Sequence, residues 1–126
     1  MPKLLLVDDE PDIASSIKKV LEREGFELYT YTDPHEALKE FMPNFYDLVI
    51  LDIKMPKMNG FQLYRELIKL DGKPKFCFLT AFETYREDFK KAFPELDERR
   101  FLSKPMGARE LLERLGKLEP NIINLR

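Results

Sequence analysis

Short apolar runs alternate along this chain with stretches in which apolar residues recur every three or four positions. Lys3 to Val7 predicts a buried strand, and so does the run from about Tyr46 to Leu51, whose Leu48–Leu51 core is too short for a helix. Lys75 to Thr80 predicts a third central strand, because Phe76, Cys77, Phe78 and Leu79 leave it no polar side. Phe26 to Tyr31 alternates weakly, with Glu27 and Thr30 among aromatics, which suits an edge. Arg100 to Ser103 is a short last strand. Between the strands lie helical patterns. Ile13, Ile17, Val20 and Leu21 follow Pro11 and stop at Gly25. Asp33-Pro34-His35-Glu36 caps a short helix carrying Ala37, Leu38 and Phe41. Leu63, Tyr64, Leu67, Ile68 and Leu70 give a third helix, from Phe61 to Asp71-Gly72, its apolar face. Phe82, Tyr85, Phe89, Ala92 and Phe93 give a fourth, interrupted by Pro94. Ala108, Leu111, Leu112 and Leu115 give a fifth, closing near Gly116. Five strands alternating with five helices predict an α/β fold, a doubly wound parallel sheet covered on both faces by right-handed crossovers.

With 126 residues, the chain suits one domain. Residues 1–118 are expected to form it, leaving 119–126 as a tail or the start of a linker. That tail is too small for an output module, and Ile122, Ile123 and Leu125 are free either to pack on the domain or to begin the linker. Hydrophobic content of 44% with a net charge of -2 describes a globular protein without strong attraction to nucleic acid or anionic membrane. Cys77 is the only cysteine, which rules out an internal disulfide and argues against a cysteine zinc site. Leu4 to Val7 is closed at once by three acids, so it is neither a signal peptide nor a span, and a cytoplasmic location is expected.

The chemistry gathers at one edge. In a parallel sheet all carboxyl ends lie together, so Asp8 and Asp9, Asp52, Thr80 and Lys104 become neighbours. Asp52 ends the central strand, and Pro56 and Asn59-Gly60 turn the chain after it. Three converging carboxylates repel one another, and a hard divalent cation compensates them, with Mg²⁺ favoured by oxygen ligands. Such a site also suits phosphate. The cation would neutralise phosphoryl oxygens and align them with Asp52 as nucleophile, Lys104 would pair as a point charge, and Thr80 would donate a hydrogen bond. Each residue also has a plain structural reading: Asp52 as a turn starter, Asp9 and Glu10 as favourable charges at a helix start, Thr80 as a strand-end hydroxyl, and Lys104 as a solvated charge.

The ordered set Asp8-Asp9-Glu10-Pro11, Leu51-Asp52-Ile53-Lys54-Met55-Pro56 with Asn59-Gly60, Leu79-Thr80-Ala81 and Phe101-Leu102-Ser103-Lys104-Pro105 resembles the receiver domain of two-component response regulators, over about Lys3 to Lys117. The resemblance implies a flavodoxin-like strand order of 2-1-3-4-5. It implies that Asp52 accepts a phosphoryl group from the phosphohistidine of a histidine kinase or phosphotransfer protein. Asp9, Asp52 and the backbone carbonyl of Lys54 would ligate Mg²⁺, with Asp8 acting largely through metal-bound water. Asp52, Thr80 and Lys104 would carry a self-catalysed phosphorylation and dephosphorylation, so the domain signals rather than turning over a separate substrate. Thr80 and Phe101 would be the switch pair, acting on the face of the fourth helix, fifth strand and fifth helix. The Lys104-Pro105 bond would be cis. The output would be a downstream protein or a domain outside this chain, with the chain a monomer or a phosphorylation-dependent dimer. Two departures stand out: Arg99-Arg100 puts a basic pair on the expected readout face, and Phe101 lacks the phenolic hydroxyl of a tyrosine.

Other readings fare worse. A haloacid dehalogenase phosphatase needs an acid two positions after its nucleophile, where this chain has Lys54. A flavodoxin-like flavin site needs a phosphate-cradling loop, and Asp8-Asp9-Glu10 would repel the phosphate. The alternative that stands is a receiver-like interaction domain that works without phosphorylation. His35, alone in a helix's first turn, reads as a surface residue.

Overall fold

Every strand run and every helical pattern has its element in the computed structural model, which describes residues 1–123. The strands are β1 (Lys3–Val7), β2 (Glu27–Tyr31), β3 (Leu48–Asp52), β4 (Lys75–Thr80) and β5 (Phe101–Ser103). The helices are α1 (Pro11–Arg23), α2 (Pro34–Lys39), α3 (Gly60–Leu70), α4 (Tyr85–Ala92) and α5 (Ala108–Leu118). All strand pairs are parallel, in the order β2-β1-β3-β4-β5. The polar β2 therefore takes one edge, as its composition predicts.

Successive side chains of a strand point to opposite faces, which explains why the central runs are apolar throughout. Leu5, Val7, Val49, Leu51, Phe76, Phe78 and Phe101 enter one core layer with residues of α2, α3 and α4. Leu4, Leu6, Leu48, Ile50, Cys77, Leu79 and Leu102 enter the other with residues of α1 and α5. Aromatics dominate the first layer, where Phe78 stacks on Phe93 at 5.7 Å between centroids and meets Phe61 edge-on at 5.1 Å. Burial pushes the Cys77 thiol up to about 12, so it serves as packing.

Several details depart from the sequence reading. Ile68 and Leu70 flank the buried Leu63–Leu67 stripe of α3 and are exposed, and Ala92 of α4 is exposed too. Ala14 is buried on α1, where Ile13 and Val20 are only half-buried. The second helix ends at Lys39, before the buried Phe41. Phe82 lies outside α4 and is exposed, because its N–H donates to Thr80 Oγ instead of entering the helix. Gly116 does not stop α5, which continues to Leu118 because that residue still packs on the second layer. Beyond it Ile123 is buried in that layer, while Leu125 lies outside the described residues. No helix among the described residues is long and apolar enough to cross a membrane.

Candidate functional site

The parallel order brings the predicted residues to one edge. Asp8 leaves β1 with its N–H donating to Tyr31 O at 3.0 Å, and its Oδ1 accepts from the Glu10 N–H at 3.0 Å. That turn delivers Pro11 to the first position of α1, where its missing N–H costs nothing. Asp52 closes β3. Lys104 follows β5 across a backbone hydrogen bond to Thr80 O at 2.7 Å, and the Lys104-Pro105 bond is cis.

The Lys104 ammonium reaches three carboxylates. Its Nζ lies 2.8 Å from Asp8 Oδ2, 3.2 Å from Glu10 Oε1 and 3.5 Å from Asp52 Oδ2. Asp8 and Asp52 are buried, and only 8% of the Lys104 side chain is exposed. Burial and the neighbouring Asp8 carboxylate push the Asp52 carboxyl up to about 8, with Asp9 adding to the effect and Lys104 opposing it. Burial works to lower the Lys104 pKa, but Asp8, Asp52 and Glu10 outweigh it and hold the ammonium above its usual range.

The cluster has more negative charge than Lys104 alone can balance. Carboxylate oxygens of Asp8, Asp9, Glu10 and Asp52 lie within 4.8 Å of one another. Asp8 Oδ2 has the Lys104 ammonium at 2.8 Å as its one positive partner, and that same ammonium is shared with Glu10 and Asp52. Such a set of four carboxylates sharing one ammonium fits a hard divalent cation.

A cleft of about 370 Å³ opens over these groups, lined by Asp9, Glu10, Asp52 and Lys104 on one part and by Lys54 and Phe82 on another. Lys54 is exposed, and its ammonium sits 4.4 Å from the centroid of the Phe82 ring. Thr80 is fully buried and does not line the cleft; its Oγ accepts the Phe82 N–H at 3.2 Å. Phe101 is buried as well, against Phe89 at 5.7 Å.

Glu10 and Phe82 were given no place in the site by pattern alone. Glu10 is the N-cap residue of α1 but makes no side-chain cap bond, which leaves its carboxylate to reach Lys104. The Arg99-Arg100 pair divides. Arg99 is exposed, pairs with Asp97 at 2.7 Å, and lines a second cleft of about 880 Å³ along α5. Arg100 turns inward, donating to Phe76 O at 3.1 Å and pairing with Glu119. The expected basic pair on the readout face is therefore a single arginine. His35 is exposed in the first turn of α2, as expected of it.

Comparison with known proteins follows the same lines. The response regulator receiver domain family matches residues 4–116. Over 116 residues the chain is 38% identical to the transcriptional regulatory protein CpxR homolog of Haemophilus influenzae, covering 91% of this chain and 49% of that protein. The non-phosphorylated HemR receiver domain from Leptospira biflexa superposes with a TM-score of 0.81 at 31% identity, covering 100% of this chain and 97% of that one. The response regulator protein TrrA from Thermotoga maritima, in complex with Mg(2+)-BeF, gives 0.78 at 38% identity, covering 94% and 99%. The same protein in complex with histidine kinase ThkA gives 0.76 at 40% identity, covering 94% and 98%. The chain spans about half the length of the curated relatives it matches.

Proposed function

We propose, from the premise that the chain belongs to the response regulator receiver domain family, that Asp52 accepts a phosphoryl group from a phosphohistidine on a partner histidine kinase or phosphotransfer protein. The observation that carries this reading is the meeting of buried Asp52 with Lys104 and three further carboxylates under one cleft. An Asp52 oxygen forms the new bond to phosphorus as the P–N bond breaks, and the imidazole leaves with the electron pair. Asp8, Asp9, Asp52 and the Lys54 carbonyl would hold Mg²⁺, which when bound supplies positive charge to the phosphoryl oxygens. Lys104 supplies a second positive charge from the opposite sequence end of the sheet edge, without the rigidity of a fork. The TrrA complexes with Mg(2+)-BeF and with ThkA support the cation and the kinase by likeness.

Phosphorylation adds roughly one to two negative charges at the edge. Thr80 responds by moving its hydroxyl toward the new oxygens, and Phe101 follows on β5, so that the face of α4, β5 and α5 reports the state to a downstream protein or an output domain. The domain works in the cytoplasm as a monomer or as a phosphorylation-dependent dimer, and it catalyses the gain and loss of its own phosphoryl group.

The test is intact-protein mass after incubation with a small-molecule phosphoryl donor, with and without Mg²⁺, for wild type and Asp52→Asn. One Mg²⁺-dependent phosphoryl addition, absent from the variant, is expected. Addition that persists in Asp52→Asn would overturn the assignment. No addition to either protein, with Mg²⁺ binding also absent by titration, would favour an interaction domain that works without phosphate.

A further inference from the structure

Phe101 is covered by an assembly of three side chains that phosphoryl transfer does not require. The Arg86 guanidinium lies over its ring, 4.5 Å from the centroid. Arg86 is itself held by two residues, its Nε and Nη2 donating to the Glu83 carboxylate and its Nη2 also to Ser103 Oγ at 3.3 Å. The Ser103 hydroxyl donates in turn to Glu83. The result is a closed ring of hydrogen bonds above a buried aromatic.

Each corner belongs to a different part of the switch. Glu83 stands in the loop after Thr80, where the Arg86 N–H also donates to Glu83 O at 3.0 Å. Arg86 lies in the first turn of α4. Ser103 is the register partner of Thr80 on β5 and the immediate neighbour of Lys104. The arrangement also limits how Phe101 can leave. Phe101 borders the cleft along α5, yet with Phe89 packed against its ring and Arg86 over it only 3% of it is exposed, and uncovering the ring on the Arg86 side breaks the contacts of Arg86 to Glu83 and Ser103. An exposed Glu–Arg pair alone holds little. A planar fork bonded at two points and stacked on a ring holds more, because one displacement costs all the contacts together.

We propose that Glu83, Arg86 and Ser103 form a latch over Phe101, with Arg86 a positioning residue that sets how much of the time the ring is buried. The inference rests on the reading of Thr80 and Phe101 as the switch pair and deepens it. Opening the latch frees the aromatic, and movement of Thr80 reaches the latch through both Glu83 and Ser103.

The test is fluorine NMR of the full chain labelled with fluorophenylalanine, with the Phe101 resonance assigned by its loss in Phe101→Leu. Solvent access is read from broadening by a soluble paramagnet, with the buried Phe41 as internal control. In Arg86→Ala the broadening of Phe101 is expected to rise about three- to tenfold, the population shift that loss of such contacts produces, while Phe41 stays unchanged. Ser103→Ala removes one corner without touching the stacked cation and is expected to give a smaller rise; it carries the test if Arg86→Ala does not fold. Wild-type broadening in the folded variants would overturn the latch. Intact mass on the same samples separates the two readings. Normal phosphoryl addition with unmoved Phe101 sinks the latch alone, and a freed Phe101 in Arg86→Ala, with neither addition nor Mg²⁺ binding in wild type, sinks the phosphoacceptor alone.

Discussion

The backbone carbonyl of Asp52 and the α-carbon of Gly60 pass so close that a Cβ on residue 60 would stand 2.3 Å from the Asp52 oxygen. Only glycine permits this approach, which is held by the Gly60 N–H donating to Ile53 O at 2.8 Å and by the Asn59–Gln62 capping box at the start of α3. Gly60→Ala must push the end of β3, and with it the proposed nucleophile. We expect a loss of about 1–3 kcal/mol in urea denaturation, together with slower phosphoryl addition at Asp52. An unchanged midpoint and rate would show that the loop absorbs the methyl group without moving the strand.

Asp9 contributes charge to the four-carboxylate cluster from a half-buried position, and it has no role in capping α1. Asp9→Ala is expected to weaken Mg²⁺ binding about tenfold or more, since affinity for a hard cation follows the number of charged oxygens. Isothermal titration checks this. Equal affinity in variant and wild type would remove Asp9 from the ligand set.

Strand ends were the legible part of this site. Asp8, Asp52, Thr80 and Lys104 each follow an apolar run, and parallel topology alone carries them to one edge. Side-chain direction within the turns was not legible. Nothing in local pattern tells that Glu10 bends toward Lys104, because an N-cap position fixes the backbone and leaves the carboxylate free. Phe82 has helical spacing to Tyr85 and Phe89, yet a single hydrogen bond to Thr80 Oγ keeps it in the loop. Arg100 looks like half of a surface pair until its partner, Glu119 at the far end of α5, is known. Contacts of that kind are long-range, and periodicity carries no record of them. Gly116 stands near the end of α5, as its position in the pattern suggests, but it is not the stop: a glycine ends a helix only where the backbone needs its freedom, and packing of Leu118 carries α5 past it.

Asp71, at the end of α3, ties two loops together. Its Oδ2 accepts from the Asn44 N–H at 2.8 Å and its Oδ1 from the Lys73 N–H at 3.0 Å, and it keeps Asn44 in a left-handed conformation at φ 62°. The Lys73 backbone bond, then that of Asn44, hold its carboxyl below the usual range against the opposing effect of burial. A carboxyl depressed in the folded state stabilises the fold above its unfolded pKa, and that stability is lost as pH falls through the folded value. Asp71→Ala should therefore cost about 1.5–3 kcal/mol near pH 7, and the deficit should shrink below about pH 4. Urea midpoints of both proteins across that range check the sign. A deficit that does not change with pH would assign Asp71 a packing role without an ionic one.

Ile123 lies beyond Leu118, the last residue of α5, yet it is buried in the second core layer. Its side chain is 1% exposed, packed in the layer that holds Leu111, Leu112 and Leu115, and its N–H donates to Glu119 O at 2.8 Å. Glu119 is buried in its turn and paired with Arg100, the residue that precedes the switch strand's Phe101. A linker residue on a surface changes stability by no more than about 0.5 kcal/mol when truncated. A core isoleucine changed to alanine loses about 2–5 kcal/mol, through lost burial and the cavity left behind. We expect Ile123→Ala to fall in the second range in urea denaturation, and Glu119→Gln to be destabilising separately, because Arg100 is left without its charged partner. A loss within the first range for Ile123→Ala would place residues 119–123 outside the cooperative unit and return the boundary to Leu118.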